Sequence, residues 1–153
     1  MIKIKQSKTA DTRTCDFTKV SREQLFESSL QHIEDVKKGM DFLAKLMKIR
    51  GQNHDWTKRD AEYFNSFYED FKTGFKETTW WEEHQEKERH HLKDEKYIPE
   101  DVNLIDILEM IDDGIMAGLA RSGEYRKEEI PDSLLRKAFD NTIELLKSIV
   151  EVV

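Results

Sequence analysis

The residues best able to do chemistry in this 153-residue chain are its histidines, His32, His54, His84, His90 and His91. Three of the five fall between positions 84 and 91. Neutral imidazoles and carboxylates are the usual ligands of divalent transition metals, and His54 is followed directly by Asp55. Adjacent ligands converge at a helix entrance, where the interior of a regular helix would splay them. On a helical wheel His32 lies close to Leu25, Val36 and Leu43, so it is expected to point inward and to be buried. Taken alone, an inward histidine is equally well explained as a core residue bonded to a carbonyl.

Further along, Asp106, Glu109 and Asp113 form an acidic stripe, with Asp112 on the flank of the neighbouring apolar row. Such a stripe is either a solvated face or a carboxylate supply for a buried cation. His84, His90 and His91 offer a second cation site or a phosphate contact, with Arg89 beside them as an anion donor. If that segment is helical, one of His90 and His91 must point away, because consecutive side chains diverge by about 100°. The surrounding Glu82, Glu83, Glu86, Lys87 and Glu88 also fit a plain exposed face. Of Trp80 and Trp81, one is expected in the core and the other could line a base pocket. The single cysteine, Cys15, has no histidine near it in sequence and is not expected to be a nucleophile.

Helices must position these groups. Charged and apolar residues each make up 37% of the chain, with only six Gly and two Pro, which favours amphipathic helices over a sandwich or barrel. A single domain is expected at 21–153, preceded by an arm or short edge strand at 1–20. Ser21 and Gln24 have the spacing of a capping box for a long helix that reaches about Arg50, before Gly51. A second helix is expected after Thr57 and Asp60, and a third from Thr78 or Thr79 to about His91. The fourth should run from Pro99 to Ala120, and Pro131 should open a fifth that reaches Val150. The net charge of −7 argues against a general nucleic-acid coat. One cysteine and the absence of a long apolar run lead to the expectation of a cytoplasmic protein without a membrane segment.

The order His32, then His54-Asp55-Trp56-Thr57-Lys58, then the histidine group, then a late aspartate resembles the HD-domain phosphohydrolase superfamily. The segment Arg89-His90-His91 and the run Asn103 to Asp113 are similar to an uncharacterised HD-like family of bacterial and phage proteins. The resemblance covers about residues 25–120 and implies an all-α, compact HD-like bundle of about five main helices.

The same resemblance implies one divalent metal on His32, His54, Asp55 and Asp113, with Asp112 in reserve; the residues themselves leave a second cation on His84, His90 and His91 open. Manganese, iron, cobalt, nickel and zinc all suit such mixed ligands. The implied activity is hydrolysis of a nucleotide or related small phosphate ester by a metal-activated water. Lys58 and Arg89 would meet phosphate, and Lys58, His84 and Glu109 would assist catalysis. A non-catalytic metal- or nucleotide-binding module, a sensor or an inhibitor of a host factor, is the alternative. Self-association is left open. The chain departs from the pattern at Gly114, where Trp is usual, and at Glu88, where Asn is more familiar.

Overall fold

The computed structural model describes residues 1–7, 16, 18–76, 79–125 and 127–153. Cys15 and Thr78, on which two of the sequence readings fall, lie outside the described residues. The fold is all-α apart from one strand pair: β1 (Ile2–Ile4), α1 (Arg22–Asn53), α2 (Ala61–Lys72), α3 (Trp80–Lys87), α4 (Leu104–Ser122), α5 (Asp132–Ile149) and β2 (Val150–Val152). Short 3-10 turns occupy Trp56–Lys58 and Glu95–Tyr97. No described helix is long and apolar enough to cross a membrane. The chain divides into two compact units, Met1–Leu46 with Glu144–Val153, and Met47–Ile143.

In the first unit α1 starts as the capping-box spacing requires: Ser21 N donates to Gln24 Oε1 at 2.9 Å and Gln24 N donates to Ser21 Oγ at 3.2 Å. Strand β1 pairs in parallel with β2, Ile2 opposite Val150 and Ile4 opposite Val152. The run Val150 to Val152, rich in a β-branched residue, therefore extends as a strand and does not finish the last helix. The segment after β1 is tied to α1 through Gln31 Nε2, which donates to Lys5 O at 2.7 Å, and through the Ser7 and Ser28 hydroxyls, 3.1 Å apart.

Those ties reach α1 on the Ser28 and Gln31 side. His32 is exposed, as are Leu25 and Val36 of its apolar row, so the expectation of an inward, buried His32 is corrected. The helical period was right and the choice of buried face was not.

The second unit holds the core, made of Leu92, Val102, Ile107, Met110, Leu134 and Ala138, with Ile98, Leu104 and Ile130 against it. Burying each such side chain contributes roughly 1.5–3 kcal/mol. Helix α4 begins at Leu104, later than Pro99, because Asn103 and Asp106 close a capping box there. It ends where Gly123 adopts φ 74°, a left-handed geometry that glycine takes without penalty. Thr142 Oγ1 accepts from Leu104 N at 3.0 Å and donates to Ala138 O at 2.7 Å, fastening α5 to the start of α4. Helix α2 starts under Asp60, whose carboxylate accepts from Glu62 N and Tyr63 N.

Candidate metal centre

The turn between α1 and α2 presents Asp55 with φ 52° and ψ 37°, a left-handed conformation that few non-glycine residues adopt and that Asp tolerates better than most. Strain of this kind gathers at functional sites. It places Asp55 Oδ1 3.4 Å from His84 Nε2 and 3.7 Å from His90 Nε2, and Oδ2 3.7 Å from His54 Nε2. Lys58, one 3-10 turn on, bonds the same carboxylate.

Helix α3 stops at Lys87, four residues short of His91, and the chain turns. The helical argument that one of His90 and His91 must point away therefore does not apply. Both rings face the cluster, their centroids 4.3 Å apart, and His91 lies 4.7 Å from the His84 ring. The fully buried Trp80 stacks on His84 at 4.6 Å and fixes that ring from behind. Trp81 is the half-exposed member of the pair, packed edge-on to His91.

Helix α4 delivers the carboxylates. The acidic stripe is an inward face over most of its length: Asp106 is fully buried, Glu109 Oε1 lies 3.0 Å from His54 Nδ1 and 3.5 Å from His90 Nδ1, and Asp113 Oδ1 lies 3.5 Å from His54 Nε2. Asp112 is exposed. Arg89, expected to meet phosphate, is instead committed within the protein. Its guanidinium donates to Asp106 at 3.0 and 2.8 Å and to Asp101 at 2.8 Å. The bond to Asp106 raises its pKa further.

A buried relay fixes the proton on His84. Thr57 donates to Glu88 Oε1 through both its N–H, at 3.0 Å, and its hydroxyl, at 2.8 Å. With its proton so engaged, the Thr57 oxygen accepts from His84 Nδ1 at 2.7 Å. The His84 Nε2 lone pair then faces Asp55. Glu109 acts on His54 in the same way, accepting from Nδ1 and freeing Nε2. Such carboxylate-backed imidazoles are typical behind metal ligands. Thr57 carried no signal beyond helix capping, and Glu88 stood out only as a departure from the family pattern. Its longer carboxylate is what reaches Thr57.

The electrostatics follow. Burial, reinforced by His91, pushes His84 down to about 3, and burial with His90 pushes His91 down to about 4, so both are neutral near pH 7. Burial also opposes charge on His90, but Glu109, Asp55 and Asp113 outweigh it and raise its pKa. Burial would raise the Asp55 and Glu109 carboxyls. Lys58, His54 and His84 hold Asp55 below its ordinary value, and His90 and His54 do the same for Glu109.

These residues fit a cation. Asp55 Oδ1, His84 Nε2, His90 Nε2 and His91 Nε2 are buried without hydrogen-bond partners, a costly state that a bound cation would relieve. Two sets of potential ligands occur among the described residues, His54 with Asp55 and His90, and Asp55 with His84 and His91. Within each set the ligand atoms lie no more than 4.8 Å apart. Buried His and Asp groups of the second unit can therefore hold a metal ion, and His32 belongs to neither set. Beside them lies a cavity of about 220 Å³ lined in part by Trp81, Gln85, His90, His91, Lys93 and Asp113. At Gly114 the missing side chain leaves room for Glu128, whose Oε1 sits 2.8 Å from where a Cβ would be. No family model, curated protein or solved structure matches this chain.

Proposed function

We propose that the protein is a metal-dependent phosphohydrolase acting on a nucleotide or another small phosphate ester. The observation that carries this reading is Asp55, a strained, partly buried carboxylate with a buried, unpartnered Oδ1, common to both ligand sets. A divalent ion held there supplies Lewis acidity, drawing charge from a phosphoryl oxygen and making a nearby water easier to deprotonate. The chain's own residues do the rest. Glu109 and the relay of Thr57 and Glu88 hold the imidazoles in one orientation. Lys58 and Lys93 supply positive charge, Lys93 at the cavity now paired with Glu128 at 2.8 Å. A cavity of about 220 Å³ suits the phosphoryl end of a small molecule. His84, with its pKa near 3, is suited to ligation and not to proton donation.

The test is metal content of the purified protein followed by phosphate release from a panel of nucleotides and sugar phosphates. We expect at least one bound transition metal per chain and metal-stimulated release, both abolished in Asp55→Ala while helicity is retained. Absence of binding with every divalent ion tried, together with an Asp55→Ala protein that behaves like the parent, would sink the proposal.

A further inference from the structure

Helix α1 carries a second apolar pattern that nothing described in its own unit covers. Phe26, Leu30, Ile33, Lys37, Met40 and Ala44 follow one another in alternating steps of four and three residues. That is the spacing of a coiled-coil seam, with Phe26, Ile33 and Met40 at d and Leu30, Lys37 and Ala44 at a. All six are exposed, with Phe26 at 63%, Ile33 at 62% and Met40 at 59%. Meanwhile Ser28 is the only buried residue among those described in the first unit. A unit this small, whose described apolar side chains are at best partly buried, has little of the main driving force for its own order.

From the shape of this seam we infer that the protein self-associates, two copies pairing through the α1 faces of their first units. A 4-3 repeat fits the matching ridge of another helix, and the partner that always presents that ridge is a second copy. Together with Val36 at a flanking g position, the seam leaves roughly 500 Å² of apolar surface bare per chain. Covering it on both copies removes about 1,000 Å², the size at which an interface becomes specific.

The experiment is sedimentation equilibrium on the full chain from low to high micromolar concentration, with Ile33→Asp and Lys37→Leu compared with the parent. We expect a monomer–dimer equilibrium, weakened by about a hundredfold or more in Ile33→Asp and tightened by about tenfold in Lys37→Leu. The Lys37→Leu arm guards against a trivial unfolding effect, since it predicts a gain. Far-UV circular dichroism checks that both variants keep their helices. A parent that stays monomeric throughout, its α1 face bare or covered by another part of the same chain, overturns the inference. So does a dimer that both substitutions leave unchanged.

Discussion

The two units of this chain use the same helical period to opposite ends. In the second unit the apolar positions of α4 and α5 include Ile107, Met110, Leu134 and Ala138, all closed into a core, and the polar positions between them converge on a cluster of histidines and carboxylates. In the first unit the apolar positions of α1 from Leu25 to Met40 stay exposed and the helix is held by polar links to the segment after β1. Amphipathicity thus states that a face wants to be covered and leaves open what covers it. Chemistry follows the covered face, since water-excluded surroundings hold His84 and His91 neutral well below the ordinary imidazole range and leave an Asp55 oxygen without a partner.

The sharpest way to break this contrast is Asp106→Ala. Asp106 is fully buried, takes two bonds from Arg89, lies 3.4 Å from Arg50 and closes the capping box of α4. Removing it leaves the partly buried Arg89 guanidinium with Asp101 alone and strips the start of α4 of its cap, and should cost about 3–5 kcal/mol in chemical denaturation. A loss below about 1 kcal/mol would show that the pair is dispensable and that the second unit is not organised around it.

A matched pair of truncations comes next. Leu92→Ala, in the core, should cost about 2–5 kcal/mol. Leu30→Ala, on the bare face of α1, should cost less than about 0.5 kcal/mol at dilutions where the chain is monomeric. Equal losses at the two positions would remove the distinction between the units.

Much of this was legible in the sequence, and the limits have physical causes. The starts of α1 and α5 followed from local chemistry, because capping side chains and proline act within a few residues. His54, Asp55, His84, His90, His91 and Glu109 were singled out from residue type and spacing, and Asp113 was preferred to Asp112 only through the family resemblance; the structure brings these residues together. His32 was placed by a wheel, which gives relative angles among residues of one helix and no information on which angle meets the protein. Arg89 was taken for a phosphate contact because nothing local announces that Asp101 and Asp106 will engage it. Thr57 and Glu88 do their work across 31 positions of sequence, a separation that periodicity cannot read.

The smallest effect expected is the pH response of the metal-free second unit. His84 and His91 are held at about 3 and about 4 in the fold, against about 6.5 in an unfolded chain. Between those limits the unfolded state binds protons that the folded state refuses, so stability is full above pH 6.5 and falls as the pH drops toward 4. His90 works in the opposite sense, its pKa raised by Glu109, Asp55 and Asp113, but it is one group against two. The Asp55 and Glu109 carboxyls, held below their ordinary values, add to the loss only at the acid end. In a chelator, the melting temperature should therefore decline by several degrees between pH 7 and 5, and His91→Asn should flatten the decline. A flat profile for the parent would mean that both imidazoles protonate freely within the fold, which is incompatible with a buried cluster and would leave the second unit no better built for chemistry than the first.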